Sequence, residues 1–375
     1  MIYLDYSATT PVDNEVIRTF SKACEEYWAN PNSLHKEGIK ANCLINAATE
    51  QIAKLLGVKS SEIIYTSGAS ESNNLAIKGI CDKYSNRGKH IITTEFEHSS
   101  IYGPISYLQK KGFDVDFVKT DEAGKVDLDD LKRLIRDDTI LVSVTAVNSE
   151  IGIIEPIEEI GKILKDYPKC FFHVDMTQSV GKIKLDLSCV DLASFSAHKF
   201  FGVKGIGVLV KKESINLEPI IHGGKSTTIY RSGTPATPLI ASISKALRLV
   251  CKDIDSNYKY VASLNKKIRD GLEKYEKVKV NSPDDSLPYI LNISVIGVKP
   301  EVLLHALEED DVYISTQTAC SSKTDESKAV YALTKDSDRS KSSVRISLSY
   351  KTTEEEINQF LKIFDKCYNR LTTLR

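Results

Sequence analysis

Lys199 stands in Ser196-Ala197-His198-Lys199-Phe200-Phe201-Gly202, between two apolar runs at 190–195 and 206–210. A lysine at the end of a buried strand among aromatic neighbours is partly desolvated, which favours the free amine over the ammonium. Such an amine can form a Schiff base, the attachment used by pyridoxal phosphate enzymes. A solvated loop lysine is the plain alternative, and only the company Lys199 keeps can decide between the two.

Three more features fall at strand ends of the same alternating pattern, where open α/β sheets place ligands. Thr66-Ser67-Gly68-Ala69-Ser70-Glu71-Ser72-Asn73-Asn74 follows a strand and opens a helix. Its small residues let backbone N–H groups approach an anion, which suits a phosphate. An ordinary helix start with Ser70 as N-cap reads equally well. Asp175 ends the apolar run Phe172-His173-Val174, so its carboxylate needs a partner. A protonated pyridine nitrogen would serve, as would a buried salt bridge; Gln178 could bond a ring hydroxyl. His98 follows the strand ending at Thr94 and could stack on a flat cofactor and move protons, or simply pack. Outside this pattern, Cys320 lies in the polar stretch Thr316-Gln317-Thr318-Ala319-Cys320-Ser321-Ser322-Lys323. An accessible thiol beside Lys323 could act as a thiolate nucleophile, or be an incidental surface cysteine.

The elements that must position these residues alternate. Helical patterns at 12–28 and 34–56 precede a strand at 62–66; strands at 90–94, 115–118, 140–146 and 171–174 then alternate with helices at 71–84, 99–111, 128–136 and 157–166. Strands apolar throughout, separated by helices, indicate a mainly parallel sheet covered on both faces. A long helix at 236–253 leads out of this large unit. Helices at 258–275, 300–309 and 353–370 and strands at 289–295, 312–315 and 344–348 then predict a small α+β unit with a mixed sheet. Residues 13–250 are expected to form the large domain, with 1–12 and 251–375 forming the small one. The polar stretch 315–343 is expected to be a structureless surface loop.

Composition removes several function classes. The 51 acidic and 50 basic residues nearly cancel, so no electrostatic nucleic-acid or membrane binder is indicated. No apolar run has transmembrane length, and the chain opens without signal-peptide features. The eight cysteines are scattered without a C-x-x-C pair, which predicts a reducing cytoplasm and mostly buried, unreactive thiols. No metal site is expected: Cys170-x-x-His173 has no second ligand pair. Gly224-Lys225-Ser226 imitates a P-loop end, but Pro219 occupies its leading glycine position.

With those residues in place, the chain resembles the cysteine desulfurases of the NifS/IscS type, class V enzymes of PLP fold type I. The likeness rests on ordered blocks along nearly the whole chain: Tyr3 to Pro11, Asn30-Pro31-Asn32-Ser33-Leu34-His35, the Ser67–Asn74 segment, His98, Asp175 to Gln178, Ser196 to Lys199, Arg231-Ser232-Gly233-Thr234-Pro235 and Val344-Arg345-Ile346-Ser347. It implies a seven-stranded, mainly parallel sheet sandwiched by helices, plus a small C-terminal α+β domain. In such a protein Lys199 would carry pyridoxal 5'-phosphate and act as general base. His98 would stack on the ring, Asp175 would pair with its nitrogen and Gln178 would bond its hydroxyl. Ala69, Ser70, Ser196 and His198 would hold the phosphate, and Thr234 would reach the phosphate of the partner subunit in a homodimer. Arg345 would clamp the carboxylate of L-cysteine, with Asn32 and Ser149 beside it. Cys320 would take the sulfur as a persulfide, leaving alanine, and pass it to an acceptor such as an iron–sulfur scaffold or a tRNA-thiolation enzyme.

Departures from the family pattern accompany the likeness. Asn148-Ser149-Glu150 replaces Asn-Asn-Glu, Gly224-Lys225-Ser226-Thr227 replaces Gly-Gly-Gln-Glu, and Ala197 and Ser349 stand at family glycines. The missing amide at 149 would slow the reaction or alter its substrate range. A selenocysteine lyase, another class V lyase or aminotransferase, and a low-turnover sulfur-transfer scaffold are the competing readings.

Overall fold

The apolar strand runs form one sheet because their side chains divide between its two faces with a period of two. The computed structural model describes residues 1–316 and 326–373. The strands are β1 (Ile2–Tyr3), β2 (Ile63–Thr66), β3 (His90–Thr93), β4 (Asp114–Phe117), β5 (Thr139–Thr145), β6 (Phe171–Asp175), β7 (Leu192–Ser196), β8 (Gly207–Lys211), β9 (Val278–Val280), β10 (Ile290–Val295), β11 (Val312–Tyr313) and β12 (Ser343–Ser347). The helices are α1 (Asn14–Glu26), α2 (Lys36–Leu56), α3 (Ala69–Tyr84), α4 (Ser99–Lys110), α5 (Leu128–Leu134), α6 (Ile157–Leu164), α7 (Thr237–Val250), α8 (Ile254–Leu272), α9 (Pro300–Glu308), α10 (Lys328–Thr334), α11 (Ser337–Lys341) and α12 (Glu354–Thr373).

Seven strands lie in the order β2-β8-β7-β6-β5-β3-β4. Only β8 runs antiparallel to its neighbours, and the other six run in one direction. On one face Ile64, Ile91, Leu141, Leu192 and Leu209 pack under α3 and α4. On the other, Ile63, Ile92, Val142, Phe172 and Val208 pack against α2, α6 and α7. Both faces are covered, as continuous apolar strands require. The carboxyl ends of β2, β3, β5, β6 and β7 therefore lie along one edge of the sheet.

A separate core surrounds the antiparallel sheet β12-β10-β9 and draws on α8, α9 and α12. The chain's first residues join it, since β1 pairs in parallel with β11 and Leu4 is fully buried there. The expected mixed sheet is thus an antiparallel one with a parallel pair bridged to it at Asp5–Ser347 and Ser315–Arg345. Strand β9 escaped the sequence reading because it is three residues long and its central Lys279 is exposed.

The stretch 315–343 is not structureless. It contains α10, capped by Ser327, and α11, capped by Asp336, whose carboxylate accepts from Asp338 and Arg339 N–H. Ala329 and Val330 bury against Phe96, Ile151 and Ile153, which holds α10 in place despite its polar surroundings. Residues 317–325, with Cys320 among them, lie outside the described residues. No described helix is long and apolar enough to cross a membrane. The thiols are also less buried than expected, with Cys24 and Cys43 exposed on α1 and α2.

Candidate active site

Between β7 and β8 the chain turns at the carboxyl edge of the sheet, and this turn carries Lys199. Gly207 begins β8 so close to Gly68 that a Cβ there would lie 2.6 Å from the Gly68 Cα. The two glycines bring the Lys199 turn against the start of α3. Gly68 is the N-cap of α3 and offers no side chain, so Ser70 falls inside the first turn and the alternative of an ordinary helix start capped by Ser70 does not hold. The Ala69 N–H instead donates to Ser196 Oγ at 2.6 Å. Ala69, Ser70, Ser196 and His198 thus share one corner of the edge. Burial and the charges of Lys199 and Lys204 push the His198 imidazole down to about 4, so it stays neutral, with Nδ1 3.2 Å from Thr9 Oγ1.

Lys199 Nζ donates to the carbonyls of Ser7 (2.6 Å) and Ala8 (2.9 Å). The Ser7 carbonyl also accepts from Gln178 Nε2 at 3.0 Å, so the N-terminal segment links Lys199 to Gln178.

Asp175 ends β6 and is 4 % exposed. Its Oδ2 accepts from Asn73 Nδ2 at 2.8 Å and its Oδ1 from the Thr177 N–H at 2.9 Å. Both donors are neutral. Asn73, fully buried in α3, also donates to Ser100 Oγ at 2.9 Å. The Ser100 hydroxyl lies 2.8 Å from His98 Nδ1, and the Ser100 N–H donates to the same nitrogen at 3.1 Å. Because the Ser100 N–H donates to Nδ1, that nitrogen is an acceptor, so the Ser100 hydroxyl also donates to it and the neutral imidazole carries its proton on Nε2. Burial lowers the His98 pKa, opposed by Asp175 and assisted by Lys199. Behind this network Glu97 is buried, accepts from Thr94 Oγ1 (2.8 Å) and Thr145 N–H (2.9 Å), and is pushed well up by desolvation.

Arg345, 2 % exposed on β12, reaches the same edge from the small unit. It donates to the Ser149 carbonyl and to Asp5 Oδ1, each at 2.9 Å, while its buried Nε has no partner among the described residues. The Asn148 side chain instead organises the turn, accepting from Glu150 and Ile151 N–H. Ser315 bridges to Arg345 itself, and Ser327 Oγ donates to Glu150, whose carboxyl burial pushes up.

Asn32 and Thr234 are exposed. Asn32 lines a polar cavity with Thr49, Tyr65, Ser226 and Thr227 that neither Lys199 nor Asp175 borders. Of the departures from the family pattern, Ser349 has a local use, its hydroxyl accepting from the Lys351 N–H at 3.0 Å. The sequence reading missed Asn73 and Lys182. A buried asparagine flanked by Leu75, Ala76 and Ile77 was the available signal for the first.

Residues 2–360 match the aminotransferase class-V family. A cysteine desulfurase IscS of Dictyoglomus turgidum is 39 % identical over 378 residues, covering all of this chain and 96 % of that protein. The chain belongs to the cysteine desulfurases of the aminotransferase class-V family. Among solved structures, a NifS-like protein superposes with a TM-score of 0.93 at 36 % identity, covering 99 % of each chain. SspA, in a structure described as a complex with cysteine, superposes with a TM-score of 0.83 at 31 % identity, covering 94 % of this chain and all of that one.

Cysteine desulfurases of this family use pyridoxal phosphate, and the residues here fit that group. A buried carboxylate held only by neutral donors lacks a counter-charge, which a protonated ring nitrogen would supply. The glycine-bordered start of the 16-residue helix α3 offers backbone N–H groups and a favourable dipole end to a phosphate. No group of three or more His, Cys, Asp or Glu residues suited to a metal occurs among the described residues.

Proposed function

We propose that this desulfurase acts on L-cysteine, with pyridoxal phosphate attached to Lys199 and the sulfur taken up by Cys320. In the overall exchange the Cys320 thiol and L-cysteine give a Cys320 persulfide and L-alanine. The C–S bond of the substrate breaks and an S–S bond forms; of the two thiol protons, one ends on the alanine methyl and the other on the persulfide. The cofactor supplies an electron sink that lets the substrate Cα lose and regain a proton.

The chain's own residues do the rest. Lys199 holds and moves that proton as general base, a role worth ~10²–10⁴-fold in rate. Asp175 keeps a ring nitrogen charged, and the neutral His98 presents its Nε2 proton to the site. Ser196, His198, Ala69 and Ser70 hold the phosphate, and Gln178 bonds the ring hydroxyl. Arg345 receives the substrate carboxylate through its open Nε, in competition with Asp5. Cys320 is four residues beyond Thr316, within ~14 Å of it at full extension, and Ser315 is already bonded to Arg345.

The observation that carries this reading is the convergence of Asp175, held by neutral donors alone, with Lys199 at one sheet edge. The exposed Asn32 and Thr234 support a homodimer in which each subunit completes the other's site. The large domain of residues 13–250 and the small one of 1–12 with 251–375 would then move Arg345 and the Cys320 segment together. Transfer of the persulfide to an iron–sulfur scaffold or a tRNA-thiolation enzyme, in the cytoplasm, completes the proposal.

Incubation with L-cysteine and a reducing thiol should yield alanine and sulfide in equal amounts, and C320S should form no persulfide. A protein that holds the cofactor on Lys199 yet releases neither product would overturn the assignment.

A further inference from the structure

Lys182 follows Gln178 by four residues in the turn after Asp175. It is 8 % exposed, and its Nζ donates to Gln178 Oε1 at 2.9 Å and sits 6.0 Å from the centre of the Tyr289 ring. The charged groups acting on it, Lys199 and Arg345, both carry its own sign. Nothing in packing calls for an ammonium there, and burying one without a counter-charge is costly.

The hydrogen bonds give it a task. An ammonium is donor-only and a carbonyl acceptor-only, so Gln178 must turn Oε1 to Lys182 and Nε2 to the Ser7 carbonyl. A flipped amide would set donor against donor and acceptor against acceptor. The same Ser7 carbonyl accepts from Lys199 Nζ. Lys182 and Lys199 are thereby joined through one amide and one carbonyl, and the second hydrogen on Gln178 Nε2 is left for an acceptor in the site.

We propose that Lys182 is a positioning residue that locks the Gln178 amide and, through its charge, lowers the proton affinity of the Lys199 nitrogen. The proposal rests on the reading of Lys199 as the cofactor's attachment point. Burial and its two cationic neighbours bring Lys182 down to about 7. Its charge therefore changes near neutrality. The other titratable side chains bordering this wall are Tyr6, Tyr289 and Tyr350. Burial pushes the Tyr289 and Tyr350 phenols up, so they stay neutral, and Asp5 is paired with Arg345.

The sign of the stability effect follows. The unfolded chain protonates Lys182 below about 10.5, whereas the fold resists it until about 7. Stability contributed at this position is full at high pH and falls as pH drops from 10.5 to 7. A lysine kept for structure alone would be a poor choice under that penalty.

The test uses the full-length protein loaded with pyridoxal phosphate, its absorbance titrated with pH in wild type, K182M and K182R. K182M should move the midpoint of the Lys199-linked band upward by roughly one unit, the size of a nearby like charge, and K182R should bring it back. At pH 7, K182M should melt at the wild-type temperature or above it. A K182M protein that melts normally but loses the cofactor also supports the proposal, since the Gln178 amide has been released. An unchanged midpoint, or a K182M protein that melts well below wild type at pH 7, overturns it. A wild-type protein that takes no cofactor on Lys199 would instead sink the functional reading beneath it.

Discussion

The two edges of the large sheet are built from similar residues but completed differently. At the amino edge His90 has both ring nitrogens engaged, by Thr139 Oγ1 at 2.7 Å and Asp116 at 3.1 Å, and Arg136 pairs with Asp114 and Asp138. At the carboxyl edge Asn73 Oδ1, Glu97 Oε2, Thr177 Oγ1 and Arg345 Nε are buried without a partner among the described residues. Each such atom costs about 1–3 kcal/mol. One edge is finished by the chain itself, while the other keeps buried polar atoms without a partner among the described residues. Stability given up at a functional edge is the common trade between activity and robustness.

The comparison can be broken by substitutions on either side. D175N removes the buried carboxylate proposed to meet the ring nitrogen and should lower alanine formation by ~10²-fold, the scale of losing one preorganised electrostatic contact. The cofactor should still load on Lys199; unchanged turnover would show that Asp175 is structural. His173, fully buried between Ser143 and Ser194 and held down to about 4 by desolvation, makes stability depend on pH. The unfolded chain binds a proton below 6.5 and the fold does not until about 4, so stability is full above 6.5 and is lost on the way down. The loss should reach on the order of 2–3 kcal/mol, from about 1.4 kcal/mol per unit, and denaturant unfolding at pH 7 and pH 4.5 would measure it.

Smaller effects sharpen the contrast. N73A leaves Asp175 one donor short and frees the Ser100 hydroxyl that is hydrogen-bonded to His98 Nδ1. A cost of about 1–3 kcal/mol corresponds to ~5–150-fold in kcat, and the pH profile of kcat should shift with it. A variant that only melts lower, with kcat and its profile intact, would make Asn73 a packing residue. At the amino edge R136A removes two exposed ion pairs, so stability should change by less than about 1 kcal/mol and turnover should not change.

Sequence reading reached the carboxyl edge well because its residues end apolar strands, where a polar side chain is conspicuous. Asp175, His98 and Lys199 each follow a run buried on both faces, and the structure brings them to one edge. Asn73 offered only the weak signal of an asparagine beside the apolar run 75–77, and Lys182 offered none. The first lies inside a helix whose neighbours set an apolar face, and the second has the spacing of a solvated turn lysine. Asp175, the partner of Asn73, is 102 residues away, beyond any local pattern; Gln178, the partner of Lys182, is only four residues away, but the Ser7 carbonyl that completes its network lies 171 residues from Gln178. Helices α10 and α11 were hidden for another reason: caps from Ser327 and Asp336 and a few apolar contacts outweigh a polar composition.

The central claim is that Lys199, not another buried amine, carries the cofactor at this edge. Reducing the cofactor-loaded protein with borohydride and mapping the modified peptide by mass spectrometry tests it directly. The account predicts a single adduct on Lys199. An adduct on Lys182, or none on either lysine, would contradict it.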